Sequence, residues 1–139
     1  MSRLHWIVIG ILGGTLYSWL ITATFERTYA IAWPEWYRVF AEDHQVLAIR
    51  LWDIASWLPA VPIALLMGYL LIKILHRAAI PAAIVGALVT FVYGSLSSAG
   101  SGWVYVGNFI FAGLLPVSAF VLGLYNKSFK SDTGSAGAA

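Results

Sequence analysis

Few residues in this sequence have the chemistry to do more than build a fold, and most of them lie in two places. Asn108 is an amide inside a long apolar stretch. An amide in hydrocarbon seeks partners, so a bond across helices is expected, with Tyr69, Thr90, Tyr93 or Ser95 as partner. The alternative is that it lines a ligand site or a pore. Glu26 and Arg27 close the first apolar stretch, and Arg50 and Asp53 precede the second. All four are expected at one interface, either as paired ions clasping a loop or as a polar mouth that reads a solute or a partner. Glu42, Asp43 and His44 supply oxygen and nitrogen donors of the kind that hold divalent metals. Consecutive residues seldom all face one ion, and no second cluster completes the shell, so no metal site is expected.

Much chemistry is excluded. The chain has no cysteine, which removes disulfides, thiolate metal sites, iron–sulfur clusters and cysteine nucleophiles. No histidine lies deep in an apolar stretch, so no haem site is expected; His5 and His76 fall near one face and His44 in a loop. There is no HExxH, no Gly-rich phosphate loop after a strand and no nucleotide fingerprint. No catalytic residues and no cofactor are assigned, and the chain is read as a non-enzyme. The middle of each apolar stretch also lacks ionisable residues, which argues against a proton-coupled carrier with a buried carboxylate.

The elements that must position these residues follow from composition. The 139 residues are 60% hydrophobic and 10% charged, with a mean hydropathy of +0.82. Soluble domains carry about 25% charged residues. A soluble domain this short has no means of hiding so much apolar surface, and a bilayer removes the problem. The pI near 9.0 does not point to nucleic acid, because the basic residues form no stripe and the net charge is only +2.

The fold class expected is an all-α integral membrane protein with four transmembrane helices. The spans lie at about 5–25, 54–74, 79–97 and 103–124, in one domain over 1–127. Residues 128–139 read as a disordered cytoplasmic tail. The outer loop, 26–53, holds five of the six acids, three arginines and the aromatics Trp33, Trp36, Tyr37, Phe40 and Trp52. From Pro34, which suits a first helical turn, Trp36, Val39 and Phe40 share one face. This predicts an interfacial amphipathic helix between the first and second spans. Asp43 is expected to cap the next helix. Pro59 and Pro62 predict an irregularity in the second span, and Ser98–Gly102 a turn before the fourth.

Arg3, Lys73, Arg77, Lys127 and Lys130 flank one set of span ends, against Asp132 alone. The positive-inside rule then places both termini in the cytoplasm. Trp33, Trp36, Trp52, Trp57 and Trp103 fall at the opposite ends, at headgroup level. A bacterial inner membrane is the expected location.

Small residues predict how the spans pack. Ala82, Gly86, Thr90, Gly94 and Ser98 recur every four residues, and Gly10, Gly14 and Ser18 do the same on the first span. Such stripes serve as helix-packing seams within one bundle or as oligomer seams. Packing stripes without a buried functional group point to an accessory or scaffolding subunit of a larger inner-membrane complex. The alternative is a homo-oligomeric pore or small-solute transporter. The partners expected are the lipid bilayer and a membrane protein or a second copy, with no nucleic acid.

Overall fold

The computed structural model describes residues 3–97 and 102–135, with side chains described over 4–97 and 102–126. All elements among the described residues are helical. They are α1 (Arg3–Tyr29), α2 (Glu35–Asp43), α3 (Gln45–Trp57), α4 (Ala60–Leu75), α5 (Ala79–Ser97) and α6 (Gly102–Ser135). One 3-10 turn, His76–Ala78, joins α4 to α5. Three stretches are long and apolar enough to cross a membrane: Leu4–Tyr29, Gln45–Ser97 and Gly102–Asn126. The chain is membrane-associated on that ground. The middle stretch has 53 residues and contains α3, α4 and α5. The turn expected at Ser98–Gly102 lies outside the described residues except for Gly102, which begins α6. Of the tail expected at 128–139, the backbone as far as Ser135 belongs to α6, and 136–139 lie outside the described residues.

Close approaches fix the directions of the helices. Gly10 meets Ala82 and Gly14 meets Gly86, so α1 and α5 run the same way. Gly86 meets Leu115 and Gly94 meets Asn108, so α5 and α6 run oppositely. Trp57 meets Gly107 and Gly68 meets Ser118, so α4 runs with α6. α1 and α6 each pack on both α4 and α5. One end of the bundle therefore carries the start of α1 and the α4–α5 turn. The other carries the end of α1, the end of α5, the α3–α4 junction and the start of α6.

Local chemistry explains the breaks. Pro59 and Pro62 have no N–H to donate to Ala55 and Leu58, four residues back. Those carbonyls instead accept from Leu58 and Val61, three residues on, at 3.3 and 3.1 Å. The helix is interrupted at Leu58–Pro59, although both residues keep right-handed helical dihedrals. Pro81 sits in the first turn of α5, where its missing N–H costs nothing. Pro116, inside α6, deprives the Ala112 carbonyl of its helical donor. His76 ends α4 at φ 47°, a left-handed conformation that makes the reversal tight and strains a residue with a Cβ.

The bundle is inside-out relative to a soluble protein. Its buried positions are mostly small: Ala60, Ala64, Ala79, Ala82, Ala83 and Ala119, with Ser18, Thr90 and Ser118. Its outward positions are large and apolar, as at Leu12, Leu66, Leu88, Phe109 and Val117. In lipid the outward side chains need no partner, and tight contact between helices replaces the hydrophobic effect as the cohesive term. Tyr17 is the largest fully buried side chain, and its Oη donates to the Phe111 carbonyl at 2.9 Å.

One local expectation is corrected. Asp43 is the last residue of α2, and His44 holds the cap position of α3 without a side-chain hydrogen bond. Of the face expected to be apolar, Trp36 and Val39 are exposed and Phe40 is partly covered, while Tyr37 and Ala41 are buried against the protein. They are covered by α3, which folds back on α2 as a hairpin with its own small core. Tyr37 Oη donates to the Ala48 carbonyl, and the Tyr37 ring packs with Trp33, Phe40 and Trp52.

The α1–α5 contact has a direct test. A Cβ on Gly14 would fall 2.5 Å from the Gly86 carbonyl oxygen, whereas one on Gly113 meets nothing within 4 Å. We expect Gly14→Ala to lower stability by about 2 kcal/mol or more, as overpacking does. Gly113→Ala should be neutral or slightly stabilising. Thermal unfolding in mild detergent checks both.

Candidate functional site

The helices are closest at the end bearing the α4–α5 turn and separate towards the other. In the tight half glycine meets glycine or alanine across α1 and α5. In the other half bulky rings fill the joints between helices. Phe111 packs edge-on against both Phe25 and Trp57, at 6.5 and 5.8 Å between centroids. The wedge left between α1, the α3–α4 junction, α5 and α6 is a cavity of about 380 Å³. Ser18, Thr22 and Glu26 line it from α1, Thr90, Gly94 and Ser97 from α5, and Asn108 and Phe111 from α6. Asp53, Trp57 and Trp103 complete its rim. From Glu26 to Ser18 is eight residues, so the cavity reaches about 12 Å into the bundle.

The rim is built around Asp53. Its carboxylate accepts from Trp103 Nε1 at 3.0 Å and faces Arg50 Nη1 at 3.8 Å. The Arg50 guanidinium also lies over the Trp103 ring, 4.7 Å from its centroid. Trp57, one helical turn after Asp53, stacks on Trp103 at 5.4 Å. Gly107 makes room for that stack, since a Cβ there would come within 3.2 Å of the Trp57 ring. The Asp53 side chain is only 14% exposed and Arg50 44%, so the carboxylate is the fixed partner and the arginine the one that reaches in from water.

The four charged residues singled out in the outer region part company here. Arg50 and Asp53 pair, three residues apart on α3. Glu26 and Asp53 share the cavity. Arg27 is exposed, and neither it nor Glu26 makes an ion pair among the described residues. The small-residue stripes divide as well. Gly10, Gly14, Ala82 and Gly86 form the α1–α5 contact, whereas Gly94 faces Asn108 of α6. Thr90 lies between the two regimes: its hydroxyl donates to the Gly86 carbonyl at 2.9 Å and to that of Gly14 at 3.3 Å.

Asn108 differs from expectation. Its amide lies flat on Gly94, where a Cβ would be 2.8 Å from Asn108 Oδ1. Its Nδ2 is buried and has no hydrogen-bond partner among the described residues. Tyr69 and Tyr93 point outward, Thr90 bonds backbone carbonyls, and the Ser95 hydroxyl is itself buried without a partner. The bond across helices fails because Gly94 offers a surface and no side chain; the residue lines the cavity, but its Nδ2 is buried against protein.

Among the described residues no three of His, Asp and Glu come together as metal ligands. His44 packs its ring against Phe40 at 5.1 Å. The arrangement offers carboxylates and indoles at a rim, with hydroxyls and an amide below. No protein-family model matches the chain, and no curated protein or solved structure matches it either.

A buried donor without a partner costs about 1–3 kcal/mol. Asn108→Leu, close to it in size, is therefore expected to raise stability by about 1 kcal/mol. A lowered melting temperature would show instead that the amide holds the fold together.

Proposed function

We propose that this chain crosses an inner membrane four times and binds a small solute in the cavity, as a binding or transport component. The observation that carries the reading is the cavity itself, lined by the Ser18, Thr22 and Thr90 side chains, by Asn108 and by two carboxylates. A packing scaffold has no need of a polar cleft between its helices, because unfilled space forfeits packing contacts.

Helix lengths support four crossings. A hydrocarbon core of about 30 Å needs roughly 20 helical residues. α1 has 27 residues and α5 has 19, and α6 is longer still. α4 has 16, about 24 Å, and reaches a full crossing with the last turns of α3. With four crossings, the helix directions support a cavity mouth on the side opposite the start of α1. The basic residues near the α4–α5 turn, Lys73 and Arg77, support a cytoplasmic side there, in a bacterial inner membrane. The α2–α3 hairpin lies at the outer interface in this reading, with Trp36, Val39, Val46 and Leu47 turned towards headgroups.

That same exposed apolar set favours a second reading, an accessory subunit docked through the hairpin. The closed inner half favours it too, since one chain offers no continuous path across.

The test is a thermal-shift series on the purified protein with an amine, a quaternary ammonium, a carboxylate, a sugar and a phosphate ester at millimolar concentration. At least one should raise the wild-type melting temperature, and Asn108→Leu should lose that response while remaining folded. No response from the wild type to any of them contradicts the solute reading. A stoichiometric membrane protein co-purifying in mild detergent would then favour the accessory subunit.

A further inference from the structure

The chemistry of the rim narrows the ligand. We infer that the cavity takes a small organic cation, and that Arg50 occupies the same carboxylate–indole corner until such a ligand displaces it. The inference rests on the reading of the cavity as a solute site.

Charge comes first. Among the described residues, the charged side chains lining the cavity are the carboxylates of Glu26 and Asp53. An anionic solute would meet both with no cation lining the wall to offset them. A neutral polar solute would be held by the hydroxyls and the amide but would gain nothing from the carboxylate of Asp53, which is 14% exposed. The aromatic faces agree with the charge. Trp57 and Trp103 stand stacked beside Asp53, and an indole face attracts a cation through its ring quadrupole. Quaternary ammonium groups, which make no hydrogen bonds through nitrogen, depend on such faces most.

The molecule already demonstrates the interaction on itself. Arg50 lies 4.7 Å over the Trp103 ring and 3.8 Å from the Asp53 carboxylate, so the two groups an incoming ammonium would use already hold a cation. Arg50 itself does not line the cavity. It reaches the corner from outside, is 44% exposed and is held at a long ion-pair distance. Such a pair gains little net free energy, because it is solvated and fixes a long side chain. A free cation that also places an apolar body against Phe25 and Phe111 gains burial that Arg50 does not.

The test uses the full chain in mild detergent, with binding followed by calorimetry and tryptophan fluorescence. Choline is compared with 3,3-dimethylbutan-1-ol, which has its shape without its charge, and with 3,3-dimethylbutanoate, an anion. Choline should bind about tenfold or more tightly than the alcohol, and the anion not measurably, a gap within reach of a partly desolvated cation–π and carboxylate site. Asp53→Asn keeps an acceptor for Trp103 Nε1 and should weaken choline about tenfold. Arg50→Gln should tighten it about threefold or more, because a competitor is removed. Damage to the fold does not produce tighter binding, so this variant separates competition from a structural role. Equal binding of the alcohol, preference for the anion, or an Arg50→Gln affinity that is unchanged or weaker overturns the inference. If choline fails while another solute in the thermal-shift series binds, the cation class falls and the solute reading stands. If none binds, both fall.

Discussion

The structure depends on how closely α1 and α5 approach. Gly14 and Gly86 meet backbone to backbone, so near that a single added methyl on Gly14 would land 2.5 Å from a carbonyl oxygen. In water such a contact would be a minor part of a large hydrophobic term. Between helices in lipid it is a main term, because the surrounding chains are as apolar as the side chains they touch. Once α1 and α5 are joined, α4 and α6 close around them on Gly68, Ser118 and Ala119 and on the Gly86–Leu115 contact. The Thr90 hydroxyl, shared between the Gly86 and Gly14 carbonyls, fixes the register at the upper edge of this seam.

The same stripe that makes the seam also makes the cavity. On α1 every fourth residue faces inward: Gly10, Gly14, Ser18, Thr22, Glu26. The series begins with no side chain at all and ends with a carboxylate. Where the residues are smallest the helices touch, and where they become polar the helices part. Phe25, Trp57, Trp103 and Phe111 hold the wedge open at the rim. Asn108, left on the bare surface of Gly94, contributes a donor that no side chain answers. Closure at one end and polar opening at the other thus arise from one sequence pattern on one helix face.

Much of the packing was legible in the sequence. The all-helical, membrane-associated character follows from composition, and the small-residue positions that meet in the seam are readable from their spacing of four. The cavity was not legible, because it depends on which faces of four separate helices converge. Asp53 and Trp57 share a face at that spacing, but only the fold brings Trp103 to them from the far end of the chain. The spacing of Gly10, Gly14 and Ser18 is readable as a stripe, and Thr22 and Glu26 extend it at the same spacing into the cavity. The partners of Asn108 are not readable, since sequence spacing does not reveal that its neighbour is a glycine. The side of α2 that meets protein is likewise set by α3 folding back on it, and a helix read alone does not show that.

The central claim is that the polar mouth and the α4–α5 turn lie on opposite sides of a membrane. The chain has no cysteine, so single cysteines report cleanly. Thr22→Cys lies in the cavity and Arg77→Cys at the opposite end of the bundle. Their reaction with a membrane-impermeant thiol reagent, in sealed vesicles of known orientation, is the most direct measurement. The account predicts that right-side-out vesicles label Thr22→Cys and spare Arg77→Cys, and that inverted vesicles do the reverse. Labelling of both from the same side, or a Thr22→Cys that reacts from neither, would contradict it.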